Sequence, residues 1–300
     1  MRVVIDTNRL QSEELWGFLR MSQHNMAVLP DYVLMEVFKP RQPDEVRSAF
    51  SILAQFPGQV VALKGTGSVC GLDPDQVAMP EAMINEEETS AFPEFLDRLK
   101  EAGRGGAVDA ALIERAGWAQ QQMDRILSGF ADMAPAMEEF LAPFTPAELR
   151  IIRQVKEEFT PAMTQKFFGL AASMANRIFA SLPNLVMPSM ARRPDHYVFR
   201  NCLGYAVYMM SRVRAGAKSW KGSIARNDSI DVMLAAYGTY YDGVMSADQL
   251  TNEVWVITRD ILEGTGTRTG AEYLGGYFRD VMLFLESLHG PGPFGGAKYS

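Results

Sequence analysis

Short, uninterrupted apolar runs rich in β-branched residues, spaced by roughly a helix's length of chain, constrain this sequence more than any other feature. Val3-Val4-Ile5, Ala27-Val28-Leu29 and Gln59-Val60-Val61-Ala62-Leu63 are such runs. Unbroken apolar character, rather than alternation, marks strands covered on both faces. Helix-sized connections allow successive strands to run parallel. Between the first two runs, Leu10, Leu15, Phe18 and Leu19 make an apolar helix face, with Thr7 and Asn8 offering an N-cap. Pro30-Asp31 starts a second helix that runs through Phe38 and is ended by Lys39-Pro40, and a third spans Asp44 to Gln55. The expected class is α/β with a mostly parallel sheet.

From about Asp73 the texture changes. The stretch to Ser189 is rich in Ala, Met, Glu and Gln at helical spacing and is punctuated by prolines, which predicts a helical insertion. Its methionines (Met123, Met133, Met137, Met163, Met174, Met187) are read as filling of a helical core. A helix follows from Pro194 through Arg214, then a basic loop, a helix carrying Asp228 and Asp231, and a strand from Gly243 to Ser246. Thr251 to Leu262 is a helix or strand, and Ala271 to Leu288 a last helix before a Gly- and Pro-rich tail. The expected organisation is a core in two parts, 1–70 and 192–270, interrupted by a helical insertion at 71–191 and followed by a C-terminal helix and tail at 271–300.

Cys70 and Cys202 are the only cysteines and form no CxxC, so neither a disulfide framework nor a zinc site is indicated. His24, His196 and His289 are scattered, and the run Gly264 to Gly270 lacks the spacing of a phosphate-binding loop. No apolar stretch approaches the ~18 residues of a membrane span, and no secretory signal is visible. The expectation is a protein of the reducing cytoplasm with no membrane association. A net charge of -7 argues against indiscriminate coating of nucleic acid. Yet Arg192 to Arg226 holds eight basic residues against Asp195 alone. Arg212, Arg214, Lys218, Lys221 and Arg226 are its candidates for contact with a phosphate backbone.

The acids carry the chemistry. Asp6 ends the first strand, Glu36 lies in the second helix, Asp228 and Asp231 sit three apart on a late helix, and Asp248 follows the last strand. Each has a structural reading. Asp6 or Asn8 caps a helix, Glu36 is solvated, Asp228 and Asp231 form an N-cap pair, and Asp248 starts the next helix. Together they stand where ligands and ions bind in an α/β fold, at the carboxyl edge of the sheet. Carboxylates with no histidine or cysteine beside them suit a hard cation such as Mg²⁺ or Mn²⁺.

The order of these acids resembles that of the PIN-domain nucleases. The matching segments are Val3-Val4-Ile5-Asp6-Thr7-Asn8, Tyr32-Val33-Leu34-Met35-Glu36-Val37, Asn227-Asp228-Ser229-Ile230-Asp231 with the Val232 to Tyr237 run after it, and Asp242-Gly243-Val244-Met245-Ser246-Ala247-Asp248. The resemblance covers about residues 1–65 and 195–265. It implies a three-layer α/β/α core and a metal-dependent endonuclease, RNA being the favoured substrate. Asp6, Glu36, Asp231 and Asp248 would hold one or two Mg²⁺ or Mn²⁺ ions. Asp228, Asn8, Thr7, Ser246 and Asp242 would support them, and Asp231 is favoured over Asp228 because Leu234-Ala235-Ala236 follows it at the family's spacing. The insertion would select substrate, cover the site or bind a protein partner. Two alternatives are a PIN-like scaffold that has lost catalysis, and a DNA-directed flap-type nuclease, disfavoured because no helix-hairpin-helix element is evident.

Overall fold

β1 (Arg2–Ile5), β2 (Met26–Leu29), β3 (Val60–Ala62) and β4 (Gly243–Met245) form one sheet, all parallel, in the order β3-β2-β1-β4. The computed structural model describes residues 1–39, 42–128, 138–154, 159–182, 185–216, 222–267 and 269–270. Successive strand residues point to opposite faces. Val4 and Ile5 are both wholly buried, as are Val28 and Leu29, so both faces of the sheet are covered. That is why the apolar runs do not alternate.

The covering helices are α1 (Glu13–Met21), α2 (Asp31–Phe38), α3 (Pro43–Ala49), α4 (Thr66–Cys70), α5 (Met79–Ala82), α6 (Glu86–Leu99), α7 (Ala107–Ser128), α8 (Pro146–Gln154), α9 (Pro161–Ser181), α10 (Tyr197–Arg214), α11 (Gly222–Gly238) and α12 (Gln249–Gly264). None of the described helices is long and apolar enough to cross a membrane.

Local chemistry moves several boundaries. Ser12, not Thr7 or Asn8, caps α1, its Oγ accepting from the Leu15 N–H at 3.2 Å. Thr7–Arg9 instead form a 3₁₀ turn, which frees the Thr7 and Asn8 side chains for other partners. The helix expected from Asp44 to Gln55 is split into α3 and a 3₁₀ turn, Leu53–Gln55. Because α11 begins at Gly222, Asp228 and Asp231 lie inside it and are not its capping pair. Thr251 to Leu262 is helical, within α12. The expected helix at Ala271 to Leu288 and the tail after it lie outside the described residues.

The described residues of 71–191 pack into clusters shared with the flanking parts of the chain. Phe92, Leu96 and Leu99 of α6 and Leu112, Ala119 and Met123 of α7 are buried in the same cluster as the strands. The start of α6 also closes the free edge of β3. Asn85 N–H donates to Ala62 O at 2.9 Å, and Ala62 N–H donates to Thr89 Oγ1 at 3.0 Å. Covering the end of an edge strand in this way blunts it as a template for pairing with another chain. The later helices join a second cluster instead, with Ile152, Met163 and Phe167 packed among Leu203, Val207, Val232 and Leu262 of α10 to α12. Met123 and Met163 are core as expected, whereas Met187 is exposed and Met133 and Met137 lie outside the described residues.

α10, α11 and α12 form the bundle that positions the late acids. Gly204 sits at their crossing, where an added Cβ would stand 3.2 Å from Val232 and 3.6 Å from Val254. At the other end of the bundle Arg200 is fully buried, at 0% exposure. It donates to Thr239 O at 2.9 Å and to Pro194 O at 2.9 Å, pairs with Asp195 at 3.5 Å and lies 3.9 Å over the Tyr240 ring. The residue therefore ties the start of α10 to the end of α11. Arg200→Ala is expected to cost about 3–5 kcal/mol, the toll of leaving buried partners without their cation. A urea denaturation midpoint unchanged from wild type would contradict this.

Candidate functional site

The site is built on the pairing of β1 with β4. Asp6 follows β1 directly, and its N–H donates to Met245 O at 3.0 Å, which carries the ladder one step past the strand. The Asp6 carboxyl group thereby meets the chain leaving β4, although 240 residues separate Asp6 from Ser246. Ser246 Oγ donates to Asp6 Oδ2 at 2.5 Å, and Asn8 Nδ2 donates to the same oxygen at 2.7 Å. The other end of the Asn8 amide, Oδ1, accepts from Ala247 N–H at 2.9 Å. One side chain so clasps the ends of both strands, and Asp6 is held in one orientation at 8% exposure.

Glu36 joins through Thr7. The Thr7 hydroxyl lies 2.5 Å from Glu36 Oε2 and 3.2 Å from Asp6 Oδ1. A hydroxyl has one hydrogen to donate, and the shorter contact takes it. Thr7 thus stands between two acids it cannot satisfy at once. Burial is the main influence raising the Glu36 carboxyl above its ordinary range, opposed by the Thr7 bond, with the Asp6 charge adding to the rise and Lys39 reducing it.

Asp248 has the structural role that its position suggests. Its Oδ1 caps α12, accepting from Leu250 N–H at 2.6 Å and Thr251 N–H at 3.3 Å, while its own N–H donates to Ser246 Oγ at 2.9 Å. Its charge nevertheless reaches Asp231. Burial first, then the Asp248 and Asp6 charges, push the Asp231 carboxyl up to about 7, with Asp228 contributing in the same direction. Like charges in a half-buried place disfavour ionisation of at least one member.

Asp228 faces elsewhere. Tyr208 OH donates a short hydrogen bond to its Oδ2. Burial raises its carboxyl, the Tyr208 bond and Arg212 lower it, and Asp248 raises it again. Of the two acids on α11, Asp231 is the one on which Asp6 acts. Asp242 is a correction to the supporting set. Its Oδ2 accepts from Arg2 N–H at 2.6 Å, at the beginning of β1. Parallel strands put that contact at the amino edge, opposite the acids, so Asp242 is a clasp for the sheet. Among the described residues no three carboxyl, imidazole or thiol side chains form a ready-made shell for an ion. The acids are neighbours along one edge.

The basic segment is not one solvated face. Arg200 is internal, and Arg192 donates to Pro74 O at 2.7 Å. Arg212 is half-buried beside Asp228, and Arg214 is exposed, lining an apolar cleft of about 260 Å³ with Phe167, Val207 and Ile257. Lys218 and Lys221 lie outside the described residues, as does the Arg226 side chain. The aromatic residues of the same segment would be candidates to stack on bases, but Tyr197, Tyr205 and Tyr208 are buried in the core and Phe199 is partly buried, while Trp220 lies outside the described residues. Sequence reasoning missed the Tyr208 contact with Asp228 and the effect of Lys39 on Glu36. The Lys39 effect had a local signal, three positions along from Glu36. No family model, curated protein or solved structure matches the chain.

An acid whose folded pKa is raised takes up a proton on folding, so stability falls as pH rises from its unfolded to its folded value. For Asp231 that window runs from 3.8 to about 7. In chelator, Asp231→Asn is expected to match wild type near pH 4 and to exceed it at pH 8 by on the order of 2 kcal/mol. Urea denaturation at the two pH values measures this, and a variant less stable than wild type at pH 8 would contradict it.

Proposed function

We propose that the protein is a PIN-like metal-dependent endonuclease, with RNA as the favoured substrate. The observation that carries this reading is electrostatic. Burial, then the Asp248 and Asp6 charges, hold the Asp231 carboxyl above its ordinary range, beside an Asp6 that is bonded to the chain leaving β4 and joined to Glu36 through Thr7. The donor set is oxygen only, which suits a hard divalent cation. Asp6, Glu36, Asp231 and Asp248 would hold Mg²⁺ or Mn²⁺, which when bound supplies charge neutralisation and an acidified water for phosphodiester hydrolysis.

The chain's own residues prepare this in distinct ways. Asn8 and Ser246 fix the Asp6 carboxyl group, so its orientation does not depend on a ligand. Thr7 holds Glu36 toward Asp6 by a hydrogen bond that can be exchanged. Asp231 sits on a helix locked by the packing of α10 and α12 around Gly204. Arg212 acts on Asp228, three residues before Asp231 on the same helix, and would help position a phosphate.

The test is cleavage. Purified protein is expected to cut single-stranded RNA with Mg²⁺ or Mn²⁺ and to stop in chelator. Asp6→Asn and Asp231→Asn are each expected to lower the rate at least ~100-fold, as loss of a preorganised charged group does, while circular dichroism stays native. Activity that persists in either variant removes that residue from the mechanism. Binding of RNA without any cleavage would favour the scaffold alternative.

A further inference from the structure

The carboxyl edge of the sheet carries a second feature, over β2 and β3. A cleft of about 430 Å³ opens there, lined by Asp31 at the start of α2, by Thr66, Gly67 and Ser68 at the start of α4, and by Arg115 and Trp118 of α7. It lies across α2 from the acids. Leu34, Met35 and Phe38 face the cleft, whereas Glu36 faces Thr7.

The charged groups around the cleft are already bonded. Asp31 accepts from Thr66 N–H at 2.6 Å, from Thr66 Oγ1 at 2.6 Å and from Tyr32 N–H at 2.9 Å. Arg115 pairs with Glu88 at 2.9 Å and stacks 4.7 Å over the Phe38 ring. A phosphate would find no uncommitted cation here. What remains is the indole of Trp118, 52% exposed, and a wall of short side chains where a Cβ on Gly67 would meet nothing within 4 Å. A large aromatic side chain left half in water beside a roomy cleft whose lining cation is already paired suits a flat, uncharged, heteroaromatic ligand.

We infer that this cleft is a subsite for one unpaired nucleobase, stacked on Trp118, belonging to a nucleotide near the scissile phosphodiester. The inference rests on the nucleic-acid reading above. Stacking on an aromatic side chain tolerates any base, since every base has a π-face. An unstacked base also selects single strands over duplex. The cleft and Glu36 lie on different sides of α2, and a helix with its side chains is about 10–12 Å across, so a strand lying along the edge can reach both places.

The experiment uses the full chain in chelator, titrated with single-stranded RNA of about ten nucleotides, a length within the usual site sizes. Fluorescence anisotropy of labelled RNA reports affinity, and tryptophan emission reports stacking. Trp118→Ala is expected to weaken binding about 5- to 100-fold. Trp118→Phe, which keeps an aromatic face, is expected to bind within about 2-fold of wild type but to lose most of the tryptophan quenching. A Trp118→Ala protein that binds like wild type, or quenching that persists in Trp118→Phe, overturns the subsite and leaves the nuclease reading standing. Wild-type protein that binds no RNA in chelator overturns the subsite, and the nuclease reading then stands or falls on cleavage with Mg²⁺ or Mn²⁺.

Discussion

The contact on which the candidate site depends is the parallel pairing of β1 with β4. Register fixes Ile5 opposite Met245, and the Asp6 N–H to Met245 O bond extends it to the residue that matters. Everything beyond that step is a consequence. Ser246 and Asn8 meet Asp6 because the two strands end together, and Asp248 caps α12 because the chain must turn away from the sheet at that point. The other end of the same pairing is closed by Asp242, whose carboxyl group receives the Arg2 N–H. A parallel neighbour cannot be supplied by a hairpin. The long excursion between β3 and β4 is therefore a condition of the site, and its first half covers the sheet while its second half braces α10 to α12.

The edge so formed is held together by its uncharged polar groups and loosened by its charged ones. Ser246, Asn8 and Thr7 each donate to a carboxylate. Asp231 and Glu36 are kept above their ordinary range chiefly by burial. A cluster of this kind lowers folding stability near neutral pH, because carboxyl groups that would ionise in the unfolded chain are resisted in the folded one. Proteins keep such arrangements at functional sites and offset them elsewhere. Arg200 is one such offset, fully buried and bonded on several sides at the far end of the same helices.

The strands were legible because continuous apolar runs follow from burial on two faces, and the parallel α/β class follows from the spacing between them. Asp6 and Asp248 were visible as acids just past the ends of strands, and Glu36 as an acid within the second helix. What could not be read were tertiary partners. Thr7 looks like a cap in the sequence and is a bridge between two acids in the fold. Asp242 sits in the same short motif as Asp248 yet faces the opposite edge, because three strand residues and a turn lie between them. The charge count from Arg192 to Arg226 suggested a basic surface for a phosphate backbone, whereas Arg200 is internal, a matter of packing that charge patterning does not reveal. Trp118 carried no signal at all, since exposure of a single tryptophan depends on what the rest of the chain leaves uncovered.

The central claim is that carboxyl groups from both ends of the chain act together at one edge as a site for a hard cation. Manganese binding followed by electron paramagnetic resonance tests it directly, since bound Mn²⁺ loses the signal of the free ion. The account expects wild-type protein to take up Mn²⁺ saturably and release it to Mg²⁺, and expects Asp6→Asn and Asp231→Asn, both natively folded, to lose that uptake. Wild-type protein that leaves the free-ion signal untouched, or uptake undiminished in both variants, would contradict it.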